Sequence, residues 1–245
     1  MNKYFTFDYT AGAFVPFSRS HLIALGIIIL INILLIVWLK KARNPQYEKI
    51  VRYGLAGLLI LQEISLNVWR IVGHHWSAGS SLPLHLCGVA VILSAILLVT
   101  KDFRLYEIVY FWGFGGAVQA LLTPDIGVFS FPHYRFFQFF VSHGSIVTAS
   151  VFATFIMGFR PYPRSILKVF LITNVYMVLM AGFNYLVDGN YLFICHKPET
   201  ASILDYLGPW PYYILSLEVV GLISFIIYYA PFFFRDRLVS LKAKN

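Results

Sequence analysis

Residues Leu82–Gly88 read LPLHLCG, which puts His85 and Cys87 two positions apart where an apolar run begins. A thiol in such a place can fill space, pair in a disulfide, ligate a metal or act as a nucleophile. As a nucleophile it would attack an acyl carbonyl and carry the acyl group as a thioester. His85 is badly placed to serve as its base, because two residues turn a helix by about 200°. His143, in the later run VSHGS, is the better base if its helix packs beside that of Cys87. The other cysteine, Cys195, leaves a Cys87–Cys195 bridge as an alternative, although two cysteines are too few for a disulfide framework. His74, His75, His85 and His133 could be offered to zinc, but no HExxH or CxxC spacing accompanies them. No serine elbow, P-loop or dinucleotide fingerprint is present, so neither a metal nor a cofactor is expected.

These residues lie in or beside long apolar segments. The 245-residue chain is 59% hydrophobic and 12% charged, against roughly 25% charged in soluble domains. It has too little polar surface to cover a water-soluble globule. Nineteen Lys/Arg against eleven Asp/Glu give a net charge of +8. In a soluble protein that excess would suggest nucleic acid; here it fits loops facing anionic lipid, and no nucleic-acid partner is expected. The first twenty residues lack the pattern of a cleavable signal peptide.

A helix needs about 20 residues to cross a hydrocarbon core about 30 Å thick. Seven runs qualify: 20–39, 50–72, 83–100, 105–122, 134–158, 165–187 and 210–232. They are continuous rather than alternating, which predicts an all-α polytopic membrane protein of seven transmembrane helices, a single domain over 1–245. Loops on one side carry fourteen Lys/Arg, including Lys40, Lys41, Arg43, Arg160 and Arg164, and the other side carries five. The positive-inside rule then sets the N-terminus outside and the C-terminus in the cytoplasm. NPQ at Asn44–Gln46 and RPYPRS at Arg160–Ser165 read as turns, and LGPWPYY at Leu207–Tyr213 as an interfacial helix start.

With that topology the polar side chains inside the spans gather toward the outer half. Ser80 or Ser81 is the expected cap of the third helix and Pro83 fits its first turn, which sinks Cys87 about 5 Å. Gln119 and Asn184 come out about as deep, with Glu63, His143 and Glu218 about 12–14 Å down. Glu63, Asn67, Arg70 and His74 form one helical stripe, and Arg135, Gln138, Ser142 and Ser145 another, with His143 at its flank. A charged group facing lipid costs about 2.5–3.5 kcal/mol even on insertion scales, so the stripes should face one another around an outward-opening cavity. The plainer alternative is interhelical hydrogen bonding.

Four motifs occur in order: LPLHLC (Leu82–Cys87), FWGFGGAVQALLTPD (Phe111–Asp125), FPHYRFFQFFVSHG (Phe131–Gly144) and NYLFICHKP with SILDYLGPWPYYIL (Asn190–Leu215). Together they resemble the bacterial YwaF-like integral membrane proteins, a family related to vertebrate transmembrane protein 164. The likeness is close from the third to the seventh span and rests on hydropathy alone in the first two. It implies a multipass membrane fold and a cysteine-dependent acyltransferase that moves a fatty acyl chain from a phospholipid to a lysophospholipid. Cys87 corresponds to the nucleophile and His143 to its histidine. The polyunsaturated ether lipids of the vertebrate enzyme are not ordinary bacterial lipids, so donor and acceptor here would differ.

The expected activity is acyl transfer through Cys87 with His143 as general base, at the outer leaflet. Glu63 or Glu218 would orient His143, and Arg70 and Arg135 would hold a phosphate. His85, Gln119 and Asn184 would donate to the oxyanion, and Asn67 would complete the polar lining. An outward-facing transporter or binding protein, and a lipid hydrolase with the same residues, are the competing classes.

Overall fold

The protein is described by a computed structural model over residues 3–10, 12–198 and 203–242. Among these residues there is no strand, and the chain is all-α. Six helices are long and apolar enough to cross a membrane, which makes this a polytopic membrane protein. Contacts divide it into two compact units, residues 1–159 and 160–245.

The first unit opens with α1 (Arg19–Ala42) and α2 (Pro45–Val72). Their connection is short because Arg43 takes a left-handed conformation and Asn44 caps α2, its side chain accepting the Gln46 N–H at 2.8 Å. Pro45 then occupies the first turn, where its missing N–H costs nothing. Next come α3 (Leu86–Thr100) and α4 (Phe103–Trp112). A π-helical turn over Gly113–Val118 follows α4 and leads into α5 (Gln119–Leu122). Last is α6 (Tyr134–Phe155), the most buried helix of the set. Small residues let α6 approach its neighbours, as membrane helices require. A Cβ on Gly113 would lie 2.6 Å from Ser150 Oγ, and that hydroxyl donates to the Val109 carbonyl at 3.1 Å.

α3 departs from expectation. Its 15 residues rise about 22 Å, short of a hydrocarbon core about 30 Å thick. It begins at Leu86 rather than near residue 83, with His85 as N-cap residue and Pro83 still in the preceding loop. Ser81 turns away to accept the Ser77 N–H at 3.2 Å, so neither Ser80 nor Ser81 caps the helix. Gly88 explains the geometry: a Cβ there would meet the Pro83 backbone at 2.8 Å, so the loop folds tightly over the first turn.

In the second unit, α7 (Pro163–Val187) and α8 (Tyr212–Lys242) flank two short 3₁₀ turns, Tyr191–Phe193 and Ile203–Tyr206. α8 holds Pro231 within it and continues ten residues past its expected end at 232. The extension carries Asp236, which takes a bidentate pair from Arg160, Nη1 donating to Oδ1 at 2.8 Å and Nη2 to Oδ2.

Candidate functional site

Cys87 is the second residue of α3. The first N–H groups of a helix have no intrahelical acceptor, and His85 makes no side-chain capping bond to them. The thiol therefore sits among uncapped donors at the positive end of the helix. Across from it runs the π-helical turn, where a Cβ on Gly116 would lie 3.4 Å from Cys87 Sγ. Two glycines thus frame the thiol: Gly88 admits the loop on one side and Gly116 keeps space on the other. Both Cys87 and Cys195 are free thiols.

His143 lies on α6 with Nδ1 at 2.9 Å from the Phe139 carbonyl and its ring 4.1 Å from that of Phe139. A carbonyl only accepts, so in the neutral ring the proton is on Nδ1 and the Nε2 lone pair is available. A main-chain carbonyl thus takes the orienting role expected of Glu63 or Glu218. No hydrogen bond joins His143 to Cys87 among the described residues.

Beside His143 lies a polar chain between α2 and α6. Arg135 donates to Gln138 Oε1, and Gln138 donates to Gln62 Oε1 at 2.7 Å. The Arg135 guanidinium lies 5.5 Å from the Phe139 ring centroid, so Phe139 is touched by both Arg135 and His143. One turn away, Asn67 donates to Glu63 Oε1 at 3.0 Å and accepts from Trp76 at 3.1 Å. Arg70 donates to the Ser81 carbonyl at 3.2 Å, tying α2 to the loop before Cys87. Glu63 feels the positive charge of both Arg70 and Arg135, and the two arginines also act on each other. Arg135 feels the negative charge of Asp125 as well as that of Glu63. His85, outside α3, is held down at about 4 by burial and then by Arg70.

Glu63, Asn67, Arg70, Arg135 and His143 thus come together, with His85 in range of Arg70. Gln119 instead donates to Thr123 Oγ1 at 3.1 Å at the end of α5. His74 leaves the α2 stripe, because the helix stops at Val72 and His74 has φ 60. In the second unit, Asn184 donates to the Tyr191 carbonyl at 3.0 Å and accepts its N–H at 2.8 Å, clamping the turn after α7. Glu218 there accepts from Asn174 at 2.7 Å.

Other histidines act as main-chain clamps. His133 Nδ1 accepts the Arg135 N–H at 3.0 Å and Nε2 donates to the Thr6 carbonyl at 3.0 Å. His21 accepts from the Phe17 N–H at 2.8 Å and donates to the Leu121 carbonyl at 2.8 Å. No group of three or more His, Cys, Asp or Glu able to hold a metal occurs among the described residues. Sequence reasoning missed Gln62, Trp76, Phe139 and Gly116. The glycine density of FWGFGGAVQ was the one signal for the π-helical turn, a feature frequent at functional sites.

A family model described as the TMEM164 family matches residues 16–229. An uncharacterized protein of Treponema pallidum (strain Nichols) is 26% identical over 225 residues, covering 90% of this chain and 91% of that protein. No solved structure matches the chain.

Proposed function

Since the chain belongs to the TMEM164 family, we propose that it is a membrane acyltransferase working through an acyl-cysteine on Cys87. The observation that carries this reading is the thiol's position, at the start of α3 among uncapped N–H groups and against Gly116. Helix N-termini favour thiolate over thiol. The same donors suit the negative charge that develops on a carbonyl oxygen under attack.

In the proposed cycle His143 Nε2 takes the Cys87 proton as sulfur attacks the ester carbonyl of a phospholipid. The tetrahedral intermediate collapses, the C–O bond breaks, and the leaving lysophospholipid oxygen takes the proton back from His143. A second lysophospholipid then gives its hydroxyl proton to His143 and attacks the thioester, the C–S bond breaks, and the departing Cys87 sulfur takes that proton back from His143. Since His143 and Cys87 share no hydrogen bond here, this cycle requires their approach when lipid binds. Arg70 and Arg135 are the phosphate ligands and Glu63 with Asn67 positions them. His85 is a further oxyanion donor. The Lys/Arg asymmetry of the loops supports an outer-leaflet site, and the proposed membrane is the bacterial cytoplasmic one.

The test is intact-protein mass spectrometry of the protein purified in lipid. A hydroxylamine-sensitive acyl adduct on Cys87, absent in Cys87→Ser and discharged by added lysophospholipid, is expected. Discharge by water alone would make the protein a hydrolase. Full acyl transfer by both Cys87→Ala and His143→Ala would end the proposal.

A further inference from the structure

A cavity of about 1110 Å³ lies between α1, α2 and α6, away from the thiol. On α6 its wall includes the stripe Phe137, Val141, Gly144 and Thr148, spaced i, i+4, i+7, i+11, flanked by other lining residues such as Phe136 and Phe140. His143 is not among the residues that line the hollow. The hollow follows α1 from Ser18 to Leu35, a rise of about 25 Å, which exceeds the depth of one leaflet in a core about 30 Å thick.

Two features keep this hollow open. The helices around it are pinned by polar bonds: α1 by His21 to the Leu121 carbonyl at 2.8 Å and by Asn32 to Oγ1 of the lining residue Thr148 at 3.1 Å, α2 by the Gln138–Gln62 bond at 2.7 Å. Small residues also recess it. A Cβ on Gly54, which lines the α2 side, would meet nothing within 4 Å.

The lining is apolar apart from Ser145 and Thr148 on α6 and a polar group at one end. There Ser18, Arg19 and Ser20 stand at the start of α1, and Arg19 makes no ion pair or hydrogen bond with the described residues. Arg19 is the one charged group among the lining residues. A cation at the end of a long apolar trough inside a membrane protein complements an amphipathic anion, with its phosphate at Arg19 and its hydrocarbon below.

We propose that this groove seats one membrane phospholipid, phosphate on Arg19 and an acyl chain against Ile27, Gly54 and Gly144, as a site separate from Cys87. It does not depend on acyl transfer. The experiment is native mass spectrometry of the full chain taken from bilayers of phosphatidylglycerol and phosphatidylcholine into mild detergent. The wild-type monomer and Cys87→Ser are expected to retain one phospholipid. Gly54→Trp, which sends an indole into the hollow from a position where a Cβ meets nothing within 4 Å, is expected to lower retention about tenfold, and Arg19→Gln by a smaller factor. If Gly54→Trp fails to fold, Ile27→Trp from the opposite wall decides. Equal retention by wild type and all variants overturns the proposal, as does a lipid-free wild type or a dimer whose second copy occupies the groove. Absence of acyl transfer by the wild type, with lipid retention intact, would count against the Cys87 reading alone.

Discussion

Cys87 Sγ lies against Gly116, close enough that a Cβ on the glycine would sit 3.4 Å from the sulfur. That separation is ordinary van der Waals contact, so Gly116→Ala should fold and leave the thiol usable. A larger side chain would cover the sulfur. Gly116→Leu is expected to slow alkylation of Cys87 by a membrane-permeant maleimide on the order of tenfold or more, equivalent to about 1.4 kcal/mol in the barrier. Labelling rates followed by intact mass, with Cys195 replaced by serine, check this. Equal rates for Gly116→Ala and Gly116→Leu would show that the π-helical turn does not control access.

The Arg135–Gln138–Gln62 chain should behave as a unit. Gln138→Leu leaves both Gln62 Oε1 and the Arg135 guanidinium without their present partner. A buried group stranded in this way costs about 1–3 kcal/mol. Gln62→Leu alone should cost less, because it leaves Gln138 still bound to Arg135. The double variant should then be more stable than the sum of the single losses predicts, with a coupling of about 0.6–1.7 kcal/mol. Unfolding midpoints of the four proteins in one detergent give the cycle, and additive losses would contradict the linkage.

Much of the fold was legible because span length depends on a local property. Twenty apolar residues have few options in a membrane, and α1, α2, α6 and α7 follow from that. The start of α3 was not legible, since Pro83 is equally at home in a first turn or just before one. What decides it is the approach of the Pro83 backbone to Gly88, a contact set by how the loop folds. The stripe Glu63, Asn67, Arg70 was readable from the 3.6-residue period, but His74 was lost from it when the helix ended at Gly73. The partner of His143 was unreadable for a different reason: a main-chain carbonyl such as Phe139's has no letter in the sequence. The groove beside α1 was hidden too, because isoleucines facing lipid and isoleucines facing a hollow are the same residue type.

The end of α2 depends on Gly73 in a way that can be tested directly. A Cβ there would fall 2.0 Å from the Phe7 ring. Phe7 cannot easily yield, as it is stacked between Trp69 and His75 at centroid distances of 3.8 and 3.9 Å. Gly73→Ala should therefore cost about 1–3 kcal/mol and loosen the N-terminal segment. Limited proteolysis should cut near residues 3–18 faster in Gly73→Ala than in wild type. Pairing it with Phe7→Ala should remove the clash, and an unchanged cleavage rate in Gly73→Ala would refute the wedge.

Acid should weaken the protein through His85. Burial, and then the charge of Arg70, holds this histidine at about 4 in the folded chain, below its ordinary value of 6.5. The unfolded chain therefore binds a proton at higher pH than the folded one. Stability is complete above about pH 6.5 and falls as pH drops toward 4, with a slope of up to about 1.4 kcal/mol per pH unit. Below 4 both states are protonated and this contribution no longer changes. His133, also lowered chiefly by burial, acts in the same direction. His85→Gln should flatten the loss between pH 6.5 and 4 without abolishing it, since His133 remains. Unfolding midpoints across that window test the sign. A wild-type midpoint that rises on acidification, or a His85→Gln profile that overlays wild type, would show that His85 is not kept neutral by its surroundings.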